Sequence, residues 1–315
     1  MSTSKYKITF IRDSYIRFYN QHKKEIDKAI SDCLAKGNVI MEQQVQEFEK
    51  KFAKFCEKKY CVTLRSGTDA LLLAGRIRKP DLMQKYRYKL SFSAKSVEMK
   101  EGAINLMDLE DKVKKNDCLL ITYMNSVQPN LKELEVIKKK YNLFIIEDAC
   151  QSIGKKLIGD ISCFSLYPAK MLGGMGKGGA IVSDNKEIIE KLRKIRDDKW
   201  NNLWLDEIKA SFLNVKLKYL PQLLKKRQQV ADRYNKELPK NIILSTQCLQ
   251  NYIIVEKKYK ELMQHLRDNG IEVFSDNNNF YEGNIKEGVR IPCYSELTDK
   301  EVKYIIKKIQ QFYVR

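Results

Sequence analysis

Short apolar runs of β character recur along this chain, and amphipathic segments of helical period separate most of them. "YCVTL" (60–64), "CLLITYM" (118–124), "LFIIED" (143–148), "DISCFSLYP" (160–168) and "GGAIVSD" (178–184) read as buried strands. "RSGTDALLLAG" (65–75), "NLKELEVIKKKYN" (130–142) and "KEIIEKLRKIR" (186–196) read as helices. Strands that are apolar throughout are covered on both faces, and strand–helix alternation builds a mostly parallel sheet. The fold class expected is therefore α/β.

The flanks are helical. Ile26, Ala29, Ile30, Cys33 and Leu34 share one face, with Gly37 placed for a left-handed stop, and Val45, Phe48, Phe52 and Phe55 mark a second helix. From about 205 the pattern predicts a helix carrying Leu205, Ile208, Phe212, Val215 and Tyr219, then a separate one over 222–238 that Pro239 closes. A strand "LQNYIIVEK", a helix "KELMQHLRDNG", a strand "IEVF" and a last helix opened by Thr298 and Glu301 as a capping box complete a smaller α+β body. The expected division is a large domain over 1–220, including the N-terminal helix, and a small one over 221–315. A chain of 315 residues exceeds what one core usually serves.

Composition excludes more than it selects. Lys+Arg 59 against Asp+Glu 40 gives a net charge of +19, but the lysines are scattered over outward helix faces. No basic stripe interleaved with aromatics is present, so no nucleic-acid partner is expected. Eight cysteines without a C-x-x-C pair argue against zinc or a disulfide framework and for a reducing, cytoplasmic setting, and no metal is expected. No run approaches the length of a membrane span, and the N-terminus has no apolar signal core.

Gly174-Met175-Gly176-Lys177-Gly178-Gly179 matches a dinucleotide fingerprint, but those glycines lead into a strand instead of opening a helix. They read better as places where backbone passes close beside something bulky. Ser66, Gly67 and Thr68 open a helix after a strand, either as a simple cap or as an anion cradle. Asp148 ends a buried strand, where open α/β sheets place ligands, and could serve a bound cation or merely cap a turn. Lys170 follows a Pro-Ala turn and could act as an amine nucleophile toward an aldehyde. A phosphate cradle, then an aspartate, then Ser165 and a lysine, each at a sheet edge, is the set that pyridoxal 5′-phosphate needs.

From about residue 20 to the C-terminus, "SGTDALLLA", "IIEDACQSIG", "GDISCFSLYPAKMLGGMGKGGA", "LDEIKASFLNVKL" and "RIPCYSELTDKEV" resemble, in order, the DegT/DnrJ/EryC1/StrS family of pyridoxal phosphate-dependent sugar aminotransferases. The resemblance implies the aspartate aminotransferase fold. It implies that Lys170 binds the cofactor as a Schiff base and shuttles protons, that Asp148 pairs with the ring nitrogen, and that Gln151 bonds the ring hydroxyl. Gly67, Thr68 and Ser165 would hold the phosphate, Phe92 would stack on the ring, and Asn202 would reach the phosphate of a neighbouring subunit in a homodimer with shared sites. It further implies amino transfer, with glutamate as donor, onto a keto-sugar carried on a nucleotide diphosphate. A sugar dehydratase of the same fold and a non-catalytic, polyanion-binding homologue are the alternatives. The chain departs from the family at Trp204, where an arginine is usual, at Lys177, where an acid is usual, and in "YMNSVQP" (123–129), which lacks a histidine the family often has. Another family histidine is missing from "FSDNNNFYEGN" (274–284), and His22 and His265 read as structural.

Overall fold

The computed structural model describes residues 5–37, 40, 42–85, 90, 92–198, 202–242, 250–276 and 288–314. The helices are α1 (Arg12–Ala35), α2 (Gln43–Phe55), α3 (Gly67–Ile77), α4 (Leu106–Lys112), α5 (Leu131–Tyr141), α6 (Lys186–Asp197), α7 (Glu207–Glu237), α8 (Tyr259–Asp268) and α9 (Asp299–Tyr313). The strands are β1 (Tyr60–Leu64), β2 (Leu82–Gln84), β3 (Lys95–Val97), β4 (Met99–Lys100), β5 (Ala103–Ile104), β6 (Cys118–Thr122), β7 (Phe144–Asp148), β8 (Ile161–Ser165), β9 (Gly179–Ser183), β10 (Tyr252–Val255), β11 (Phe274–Asp276) and β12 (Gly288–Ile291).

Two compact units emerge, one of residues 23–220 and one of residues 1–22 with 221–315. In the larger unit a seven-stranded sheet has the order β1-β9-β8-β7-β6-β2-β3. β8-β7, β7-β6, β6-β2 and β2-β3 pair parallel, and β9 runs antiparallel to both its neighbours, with Leu64 opposite Gly179. The α/β expectation holds, and the apolar runs are the buried strands: every residue of β6 and β9 is buried. Val62, Leu64, Ile146, Ile161 and Ile181 pack with Ala70, Leu71 and Ala74 of α3 and Ile189 and Leu192 of α6. Burying such side chains contributes about 1.5–3 kcal/mol each.

Two buried carboxylates fix the position of α2. Glu49 accepts from the Thr63 amide at 2.7 Å and from Arg196 at 2.8 Å, tying α2 to β1 and α6. Glu207 accepts from the amides of Glu42, Gln44 and Val45, so a side chain from α7 caps the α2 N-terminus.

In the smaller unit β10-β12-β11 form an antiparallel sheet against α8, which packs on α9. The sequence reading put residues 1–22 with the large body. Instead Ile8 bridges Ile271, and Arg17 forms a two-pronged pair with Glu301, so these residues belong with the C-terminal unit. The Thr298–Glu301 capping box forms as expected. His265 bonds the Lys308 carbonyl, and His22 sits at a non-helical point of α1 against Phe18; both are structural.

Other differences have local causes. The expected pair of helices after 205 is one helix of 31 residues with Pro221 inside it. An internal proline costs about 3 kcal/mol, and burial of Leu217 and Leu220 before it and Val230, Ala231 and Tyr234 after it outweighs that cost. The strand expected over 160–168 stops at Ser165, and that over 118–124 stops at Thr122, because Asn125 and Ser126 adopt positive φ. Most of "FSDNNNFYEGN" lies outside the described residues.

Candidate active site

The ends of four strands and the start of α3 converge on a cavity of about 770 Å³ in the larger unit. Gly67, Thr68, Asp148, Gln151, Ser165 and Lys170 all line it. The α3 N-terminus forms one wall. Ser66 is its N-cap, its hydroxyl oxygen accepting from the Asp69 amide at 3.1 Å while its O–H donates to the Asp69 carboxylate. The amides of Gly67 and Thr68 are left without a protein acceptor among the described residues, at the positive end of the helix dipole. A Cβ on Gly67 would stand 2.7 Å from Ser165 Cβ, so only glycine keeps this cradle open.

Asp148 ends β7 at the floor, 7% exposed. Its Oδ1 accepts from the Cys150 amide at 3.1 Å, the Asx-turn pattern that a strand-terminal aspartate favours. Burial pushes its carboxyl above the usual range, opposed by the Cys150 donors and the charge of Lys170. A buried carboxylate in this state favours a cationic partner. Beneath it, Glu147 accepts from Tyr123 Oη at 2.8 Å, from the Ile158 amide and from Ser162, which locks the end of β7.

Gln151 is held by the positive-φ turn opposite. Its Oε1 accepts from the Asn125 amide at 3.0 Å and its Nε2 points at Met124 Sδ, a weak acceptor. Lys170 is set by a turn in which its amide donates to the Tyr167 carbonyl and Gly174 N–H donates to the Leu166 carbonyl. The glycines beyond it are spacers, as expected. Gly178, Gly176 and Gly174 pass Leu205, Lys209 and Leu213 at 3.2–3.5 Å from where their Cβ atoms would be.

Two expected residues stand apart. Phe92 is not in the cavity lining; its ring presses on the backbone of α3 at Gly75, so closely that a Cβ there would collide with it. The cause is the missing side chain at Gly75, which opens a slot for the ring. Asn202 is exposed, with φ 43°, and is also absent from the lining; its neighbour Leu203 accepts from the Arg65 amide at 2.7 Å. Trp204 donates to Asp197 at 3.3 Å. Reading the sequence missed Arg65, Tyr123, Met124, Cys150 and Tyr167 as lining residues. For Cys150 a signal existed, since it lies two residues after a strand-terminal aspartate.

Among the described residues no group of His, Cys, Asp and Glu could hold a metal, and no helix is long and apolar enough to cross a membrane.

Comparison with known proteins identifies the family and the fold. Residues 20–80 and 96–281 match the model of the DegT/DnrJ/EryC1/StrS aminotransferase family. The chain is 31% identical over 249 residues to the dTDP-3-amino-3,6-dideoxy-alpha-D-galactopyranose transaminase of Aneurinibacillus thermoaerophilus, covering 68% of each. It is 24% identical to a pleiotropic regulatory protein of Geobacillus stearothermophilus, over 94% of this chain and 96% of that one. The crystal structure of S. venezuelae DesV in complex with a ketimine intermediate superposes with a TM-score of 0.85 at 22% identity, covering 99% of this chain and 100% of that one. The chain belongs to the DegT/DnrJ/EryC1/StrS aminotransferase family. It is an aminotransferase of the kind that uses pyridoxal 5′-phosphate.

Proposed function

We propose that the protein transfers an amino group from an amino acid, with glutamate as donor, onto a keto-deoxy sugar carried on a nucleotide diphosphate. The observation that carries this reading is the meeting of Lys170, the buried Asp148 and the open amides of Gly67 and Thr68 in one cavity. Pyridoxal phosphate, when bound, supplies an aldehyde for the lysine and an electron sink for the substrate carbon. The cavity fits it: a cradle that a Cβ would close, a buried carboxylate for the ring nitrogen and an amide for the ring hydroxyl.

Within that reading the protein groups divide the work. Gly67 and Thr68 N–H with Ser165 Oγ hold the phosphate. Asp148 keeps the ring nitrogen protonated, and Gln151 Nε2 donates to the ring oxygen. Lys170 Nζ, which lines the cavity, would be the amine that holds the aldehyde and, when free, the base that moves a proton at the substrate carbon. The half-reactions alternate, so the donor's keto acid leaves before the sugar enters.

The nucleotide sugar rests on relatives named as dTDP- and UDP-sugar transaminases. A homodimer is part of the proposal, with the exposed Asn202 offered to the neighbouring subunit's phosphate. Cys56, Cys61, Cys118, Cys150, Cys163 and Cys293 are free thiols, which suits the cytoplasm. A second reading, a non-catalytic polyanion-binding homologue, is favoured by the +19 charge and by the regulatory relative.

One absorbance experiment separates the readings. Protein with pyridoxal phosphate is expected to show the visible band of the lysine-bound cofactor, bleached by glutamate and missing in Lys170→Ala. A wild type without the band, or a mutant that behaves identically, would hand the case to the second reading.

A further inference from the structure

Lys216 is 6% exposed, which is unusual for a lysine. It lies in the first half of α7, and its Nζ donates to the Gly173 carbonyl at 3.0 Å. Gly173 closes the turn that carries Lys170. A Cβ on Gly173 would collide with the Pro168 carbonyl and stand 2.9 Å from the Lys170 carbonyl oxygen, so the 168–173 turn is wound as tightly as backbone permits.

Lys209, Leu213 and Lys216 follow one another on the same face of α7 at helical spacing. Gly176, Gly174 and Gly173 meet them in that order, the first two by close packing and the last by a charge-assisted hydrogen bond. Packing alone fixes how near the strand of glycines lies to the helix. A hydrogen bond also fixes its register along the helix, because Nζ must meet the Gly173 carbonyl. Burying an ammonium is unfavourable unless it is well partnered, and a methionine of the same length would fill the space without that cost.

We propose that Lys216 is a positioning residue: its ammonium holds the Gly173 carbonyl and so fixes the turn that aims Lys170 into the cavity. This rests on the reading of Lys170 as the cofactor-binding lysine. The residue touches neither cofactor nor substrate and acts through the backbone of the turn.

The test uses full-length Lys216→Met, Lys216→Gln and Lys216→Arg beside wild type. Two quantities are read: the rate at which added pyridoxal phosphate is captured by Lys170, followed by visible absorbance, and hydrogen exchange of amides 166–178 in the cofactor-free chain. Affinity for pyridoxamine phosphate, which needs no bond to lysine, serves as the reference. Lys216→Met is expected to slow capture at least about tenfold, the scale expected when a reacting group is misplaced by a fraction of an ångström. It should speed exchange at Gly174 and leave pyridoxamine phosphate affinity within about twofold. Lys216→Arg should restore capture, and Lys216→Gln, a neutral donor, should fall between.

Capture and exchange at wild-type values in Lys216→Met would overturn the proposal. So would equal losses of capture and pyridoxamine phosphate affinity, the mark of general loosening. If the wild type captures no cofactor, the aminotransferase reading fails, while exchange at Gly174 still decides whether Lys216 holds the turn. Should the Met variant not fold, the Gln and Arg variants carry the same comparison.

Discussion

Gly67 and Ser165 come from segments far apart in sequence, yet a methyl group on Gly67 would lie 2.7 Å from Ser165 Cβ. The start of α3 and the end of β8 close on each other there, and two free amides remain beside the gap. Gly67→Ala is expected to weaken pyridoxal phosphate binding at least tenfold by filling the cradle. Overpacking should also lower stability by about 1–3 kcal/mol. Cofactor titration and urea melts of the cofactor-free protein measure the two effects, and unchanged affinity would remove the phosphate from this wall.

At Asp148 the proposed pairing with the ring nitrogen opposes stability. Its folded pKa lies above its unfolded value because burial disfavours the charge. The stability it contributes is therefore fully present below about pH 4 and lost as the pH rises through the folded value. Cofactor-free Asp148→Asn should accordingly be more stable than wild type at pH 7 and equal to it near pH 3. Turnover should fall by roughly 10²–10³, the scale for loss of one preorganised electrostatic contact. Urea melts at the two pH values, with a coupled assay of keto-acid release, check both signs.

Glu301 behaves in the opposite way. Burial pulls its pKa up, but the two-pronged bond from Arg17 and the Thr298 donors prevail and leave it at about 2. Its contribution is present above about pH 4.3 and disappears as the pH falls through about 2. Glu301→Gln should cost roughly 1–3 kcal/mol at pH 7 and much less at pH 2. Denaturant melts at both pH values test this.

Phe92 offers a clean separation of packing from chemistry. With its ring against Gly75, Phe92→Ala should cost about 2–4 kcal/mol and leave pyridoxal phosphate affinity within about twofold. A mutant of full stability that had lost cofactor affinity would return this ring to the cavity.

How legible the molecule is from its sequence depends on the range of the forces involved. β1, β6, β7, β8 and β9 declare themselves because strands covered on both faces must be apolar throughout. The edge strands β2 and β3 have three residues each, too few to show a period. Lys170, Asp148 and Gly67 are marked by local grammar: a turn, a strand end and a helix start. Phe92 and Lys216 are not, because the slot at Gly75 and the carbonyl of Gly173 become their neighbours only through tertiary packing. Pro221 reads as a break in any sequence and is overruled by apolar burial on either side of it.

β9 reverses direction within the sheet, and among the described strands β1 pairs only with it, Leu64 facing Gly179. β1 leads directly into the wall formed by Gly67 and Thr68. A chain emerging from the ribosome therefore makes the Gly67–Thr68 segment early, but among the described residues β1 has no sheet partner until residue 183 has appeared and the last strand slides between β1 and β8. Closing so long a loop is slow relative to local helix formation. Completion of the proposed cofactor site is thus a late event in the birth of the molecule, and fragments ending before β9 carry Lys170 and Asp148 without the finished cavity.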